Sequence, residues 1–243
     1  MPTSPALKNA MRIRRHQPSR LESFVDASFA FAITLVVIAV GHIPSSVPEM
    51  LRALHGLPTF AVCFLLLARI WLAHRNWSRY YDLEDTPTVT LSLALVFVVL
   101  VFVYPMRVLF AQALLGWSGN WLSDGSVAPL DTIDELRAAY TVFGCGFAAV
   151  AAIFVLLHAH ALRCAERIGL DAGERIYTRM GMYDWIGHVA VCLLSIALAR
   201  WLPMRNVFEF SLPGFVYVLT ALTAWISGSR SRIAFARLSP SDL

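Results

Sequence analysis

The chain has 243 residues, 58% of them hydrophobic and only 15% charged, with a mean hydropathy of +0.62. Soluble domains hold roughly 45–50% apolar residues with glycine counted and about 25% charged ones, so folding alone cannot hide these side chains from water, which argues against a soluble enzyme or a disordered chain. The 20 basic and 16 acidic residues, net +4, fall in short patches between apolar runs, which suits lipid headgroups and argues against a nucleic-acid-binding stripe. Six apolar segments reach the roughly 20 residues that cross a bilayer core of about 30 Å. They are 22–43, 55–75, 87–112, 137–161, 182–202 and 211–229.

The segment before the first span carries Lys8, Arg12, Arg14, Arg15 and Arg20, without a short apolar run ending in a small-residue cleavage site, so no removable signal peptide is expected. The second span contains Arg69 and is followed by Arg75 and Arg79. The third runs toward Trp117, and Pro105 is expected to kink or end it. The fourth opens at Asp131 to Glu135, where acidic groups meet the positive end of a helix. Arg163, Arg167, Arg175 and Arg179 lie between the fourth and fifth spans, and Arg230, Arg232 and Arg237 follow the sixth. Fourteen basic residues thus fall on one side, against five on the other (Arg52, Arg107, Arg137, Arg200 and Arg205). The positive-inside rule places both termini in the cytoplasm, as an even number of spans requires. Trp71, Trp77, Trp185 and Trp225 near the inner ends and Trp201 near an outer end read as an interfacial belt. Trp117 and Trp121 fall in the outer 106–136 connection. Cys63, Cys145, Cys164 and Cys192 show no paired spacing and are expected to be free thiols.

The first span is the most informative. Projected at about 100° per residue, Asp26, Phe29, Ile33, Val36, Val37 and Val40 share one side. Ala27, Phe31, Thr34, Ile38 and His42 form a stripe roughly 80–160° away, bordered by Leu35. A carboxylate at the Asp26 position is costly unless paired or reached by water. Its candidate partners are Arg20, Arg69 and His74.

Arg20-x-x-x-Phe24-x-Asp26, continued by Phe29-Ala-x-Ala-Ile-Thr-Leu35, resembles the opening of the transmembrane protein 175 family of potassium channels, and Trp71-x-x-His74 resembles a pair on that family's second helix. Specific motifs cover the first two spans, and the six-span layout covers the chain. Val25 stands where the family has Ser, Ala27 where Gly is usual, and Phe31 where the main constriction residue is Ile or Leu.

The resemblance implies an all-α membrane protein of six transmembrane helices. It also implies a homotetramer in which the first helix lines a central pore. The pore constriction would be Phe31, Leu35 or Thr34, and Ile38; Arg20, Phe24, Asp26, Trp71 and His74 would brace the first helix against the second. The implied function is a potassium-selective cation channel, extended to protons in a wider form of the reading. Potassium is the permeant ion; no cofactor, resident metal or nucleic acid is expected. The chain would be multi-pass in the cell (inner) membrane. Residues 1–19 would be a basic cytoplasmic tail, 20–229 the channel-like domain and 230–243 a second short tail. A non-conducting scaffold or lipid-interacting protein of the same fold is the alternative. A membrane enzyme or transporter is a third reading and would require a polar cavity around Asp26, Arg69 or Asp184.

Other signals are weaker. Thr141-Val-Phe-Gly144-Cys-Gly146 has the wrong glycine register for a carbonyl filter and reads as close helix packing. His158-x-His160-x-x-x-Cys164 suggests zinc, but the two histidines stand two apart on a helix and point to different sides, so the motif reads instead as a helix end meeting the headgroup region. Asp184 and His188 share a helix face, with Asp184 expected in a first helical turn. Among enzyme motifs, a Gly-rich phosphate loop, His-Glu-x-x-His and Gly-x-Ser-x-Gly are all lacking.

Overall fold

Ser19 starts the first helix: its hydroxyl accepts the amide of Glu22 at 3.1 Å, satisfying an N–H with no partner inside the helix. The computed structural model describes residues 11–38, 45–118, 127–128, 130, 132–220, 222–223 and 225–226. Its elements are α1 (Arg20–Ile38), α2 (Val47–Leu54), α3 (Leu57–Tyr81), α4 (Thr86–Ser118), α5 (Ile133–Arg163), α6 (Ala172–Trp201) and α7 (Val207–Phe215), followed by a 3-10 turn at Val216–Val218. There is no strand among the described residues. α1, α3, α4, α5 and α6 are each long and apolar enough to cross a membrane. The sixth expected span coincides with the end of α7, the 3-10 turn and further helical residues to 226; residues 221, 224 and 227–229 lie outside the described residues. So do residues 1–10, His42, Trp121, Asp131 and the tail 230–243.

The chain alternates direction through the long helices, so two ends can be defined. Tyr80, Ile168 and Gly169 meet at one end around Arg14. Arg137 donates to the Leu202 carbonyl at the other. α5 and α6 pack most extensively on each other, α4 lies on α5, and α1 packs against α3 and α4. Phe102, Phe110, Phe143, Phe147 and Tyr217 form the aromatic centre. The segment 141–146 is helical within α5, and a Cβ on Gly144 would come within 2.7 Å of Ile196. The glycines there permit close helix approach and form no filter. The four cysteines are free, as expected.

Three expectations are corrected, and a fourth is narrowed: of the kink or end expected at Pro105, the end does not occur, and α4 continues to Ser118, in line with a run toward Trp117. Proline removes one backbone donor, yet Phe102, Val103 and Met106 on either side are buried, and that packing carries the helix through. α3 runs to Tyr81 and α6 begins at Ala172, so Arg75, Arg79, Arg175 and Arg179 are helical residues and not part of connections. The α6 start is set by a capping box between Asp171 and Glu174, which leaves Asp184 in mid-helix. Trp77 and Trp185 are interior residues rather than members of a belt; Trp185 stacks on Phe154 at 4.2 Å. Amphipathic tryptophan serves at an interface or in a core, and linear position alone does not distinguish the two.

Candidate functional site

α1 has two opposite seams. Glu22, Val25, Phe29, Ala32 and Val36 are buried against the rest of the chain, at alternating spacings of three and four. Phe24, Ala27, Phe31, Thr34 and Ile38 repeat the same spacing on the other side and are exposed. Phe31 is 55% exposed and Ile38 64%, so neither packs in the core of the single chain. Leu35 is half-buried and touches the core, placing it at the border of the stripe. Thr34 faces outward while its hydroxyl donates to the Ala30 carbonyl at 3.0 Å. Val25 is fully buried, so the motif position that holds a hydroxyl in the resembled family holds a packing side chain here.

Of the expected bracing residues, the structure joins Asp26 and Trp71: the indole N–H donates to Asp26 Oδ1 at 2.7 Å. His74 is buried and meets Ser92 Oγ at 3.0 Å, tying α3 to α4. Arg20 and Phe24 are exposed, and no ion pair joins Arg20 to Asp26 among the described residues. Arg69 reaches His188 Nε2 at 3.3 Å. His188 Nδ1 is 2.8 Å from the Asp184 carbonyl, which assigns the proton to Nδ1 and leaves Nε2 to accept from Arg69. Thr223 donates to Asp184 Oδ1 at 3.0 Å. Each group that an enzyme or transporter reading would place in a polar cavity therefore has a protein partner. Replacing Trp71 with Phe removes the donor to Asp26 and is expected to cost about 2 kcal/mol. Thermal unfolding in detergent checks this, and a loss under ~0.5 kcal/mol would show that the contact holds nothing.

A polar network holds the basic end. The segment before α1 lies along the ends of α3 and α6. Arg14 and Arg15 amides both donate to the Arg79 carbonyl. The Arg14 guanidinium binds both Glu174 oxygens, at 2.9 and 2.6 Å, and three backbone carbonyls. Arg15 pairs with Asp82 at 2.6 Å and with Glu84. These arginines serve the protein, whereas their sequence position suggested lipid headgroups. Hydrogen bonds from Arg15 and Ser19 hold the Glu84 carboxyl below the usual carboxylate range. At Asp85, burial opposes the charge, but hydrogen bonds from Arg167, Thr88 and His160 overcome it and keep the carboxyl well below that range. A lowered folded-state value means that this network stabilises the fold above pH of about 4 and loses that contribution as pH falls further.

Sequence reasoning places His160 and Cys164 in one motif but misses Asp85, 75 positions from His160: the donor atoms of Asp85, His160 and Cys164 lie within 4.8 Å of one another.

Residues 20–105 match the family model described as endosomal/lysosomal potassium channel TMEM175. A protein of Marivirga tractuosa named "Potassium channel" is 30% identical over 209 residues, covering 85% of this chain and 84% of that one. The crystal structure of a variant of the potassium channel MtTMEM175, in complex with a Nanobody-MBP fusion protein, superposes with a TM-score of 0.77 at 27% identity. That superposition covers 93% of this chain and 97% of the other.

Proposed function

Because the chain belongs to the TMEM175 family of potassium channels, we propose that it conducts potassium selectively through a central pore lined by the exposed stripe of α1 in a homotetramer. The family is one of multi-pass membrane channels, not of enzymes. The observation that carries the finer reading is the division of α1 into two seams. One is satisfied by the chain's own core; the other leaves Phe31, Thr34 and Ile38 exposed in the single chain.

Four copies of that stripe around an axis form narrow rings. Phe31 makes the tightest, Ile38 a second two turns later, and Thr34 with bordering Leu35 the layer between. An apolar ring supplies no oxygen ligands, so an ion must cross it partly stripped of water. Potassium holds its water less tightly than sodium and crosses more readily. Protons, which pass along short water chains, are a second permeant species in this reading. The basic asymmetry supports cytoplasmic termini in a cell-membrane protein of six spans. The Asp26–Trp71 contact orients α1 on α3 and sets the stripe's direction.

One observation favours a second reading. Phe31 is a flat ring where the resembled family has an aliphatic side chain, and four such rings could close the axis. The chain would then be a non-conducting scaffold of the same fold. Flux into liposomes holding the purified protein decides between the two. Potassium uptake exceeding sodium uptake supports the channel. Silence from the native chain and from Phe31→Ala, with oligomers intact, supports the scaffold.

A further inference from the structure

At the basic end, the loop after α3 meets the last turn of α5. Asp85 lies in that loop, and His160 and Cys164 stand one helical turn apart, so both face it. His160 Nε2 is 2.9 Å from both Asp85 oxygens and 3.7 Å from Cys164 Sγ. In a tetrahedral site with metal–nitrogen and metal–oxygen bonds near 2.0–2.1 Å and metal–sulfur near 2.3 Å, donor atoms stand roughly 3.3–3.6 Å apart. The His160–Asp85 and His160–Cys164 separations are within about half an ångström of that spacing, all three donor atoms lie within 4.8 Å of one another, and all three residues are partly accessible.

A positive group already occupies this place. Arg167 Nη2 donates to Asp85 Oδ2 at 2.5 Å and lies 3.3 Å from Cys164 Sγ. Its side chain is 58% exposed, so it can leave without unpacking the core. Asp85 Oδ1 meanwhile caps α4 through Thr88. One oxygen therefore serves the fold and the other faces the cation position.

We infer that Asp85, His160 and Cys164 form a binding site for a thiolate-preferring divalent transition metal of the zinc class, which Arg167 covers when the metal is absent. The donor set selects that class: a thiolate and an imidazole suit zinc and its neighbours, and are poor ligands for calcium or magnesium. Binding releases the Cys164 thiol proton to solvent. His160 binds through a deprotonated Nε2 with its proton on Nδ1, Arg167 swings out, and water takes the fourth position. The metal then clamps the α3–α4 loop to the end of α5. The site does not depend on whether the chain conducts.

Cobalt titration of the full chain in detergent tests this, with zinc as competitor. The expected result is one cobalt per chain, with a near-ultraviolet thiolate-to-metal band that zinc displaces. Cys164→Ser removes the band, and Asp85→Asn weakens binding at least about tenfold. Arg167→Ala keeps the band and tightens binding roughly tenfold, because a competing cation has gone. Zinc should also raise the unfolding temperature of the native chain but not of Cys164→Ser. The inference is overturned if neither the native chain nor Arg167→Ala develops the band. A band that survives in Cys164→Ser, through Cys63, Cys145 or Cys192, overturns it as well.

Discussion

Replacing Phe31 with Ala is expected to raise potassium flux in liposomes by about tenfold or more, and to bring sodium flux up toward it. A tenfold change corresponds to only about 1.4 kcal/mol of barrier. In the proposed pore, removing an aromatic ring from every subunit of the constriction would take away more apolar wall than that figure requires. Selectivity should fall with the barrier, since a wider passage lets each ion keep its water. The substitution separates pore lining from packing because Phe31 is largely exposed in the single chain. Its loss should leave the fold of each subunit nearly unchanged. Ile38→Ala should have a smaller effect of the same sign. Unchanged currents in Phe31→Ala, with native oligomers, would remove Phe31 from the conduction path.

The largest expected effect on stability is at the basic end. Arg14→Ala should destabilise the protein by about 3–5 kcal/mol, the usual cost of removing one member of a buried charge pair. The Glu174 side chain is fully buried, and two of its four hydrogen bonds come from the Arg14 guanidinium. The other two come from the Arg12 and Asp171 amides and cannot neutralise the carboxylate. Arg14 also binds the carbonyls of Tyr80, Ile168 and Gly169, which link the end of α3 to the connection between α5 and α6. Arg14→Lys should recover only part of the loss, since an ammonium cannot make the two-pronged contact. The double replacement Arg14→Met with Glu174→Met should be far milder than Arg14→Ala, because no buried charge remains. Unfolding measured in detergent checks all three. A loss below ~1 kcal/mol for Arg14→Ala would mean that the segment before α1 rests on the protein without holding it.

The α1 stripe was legible because helical periodicity is local. Ala27, Phe31, Thr34 and Ile38 share a side in any α-helix, whatever surrounds it, whereas Phe24, expected as a bracing residue, proves to lie on the same exposed side. Which side the chain would bury was a tertiary matter. Asp26 illustrates the limit: its need for a partner could be read from a carboxylate among apolar residues, but its partner could not. Charge suggested Arg20, Arg69 or His74. The donor in the structure is the neutral indole of Trp71, while Arg69 turns to His188 and His74 to Ser92. Helix rotation and axial register decide among residues spaced so closely, and both arise from packing over the whole interface.

The sequence by itself determined the membrane character, the helical class, most of the long spans and the seam of α1. Each depends on composition or on a period of 3.6 residues, and these survive without any knowledge of neighbours. Only the tertiary structure decided that α4 continues through Pro105 and that Trp77 and Trp185 belong to the core. It alone decided that Arg14 closes on Glu174 and that Asp85 joins His160 and Cys164. The physical reason is common to all four. Burial and ion pairing join residues up to 160 positions apart in the chain, and their energies depend on where whole helices come to rest.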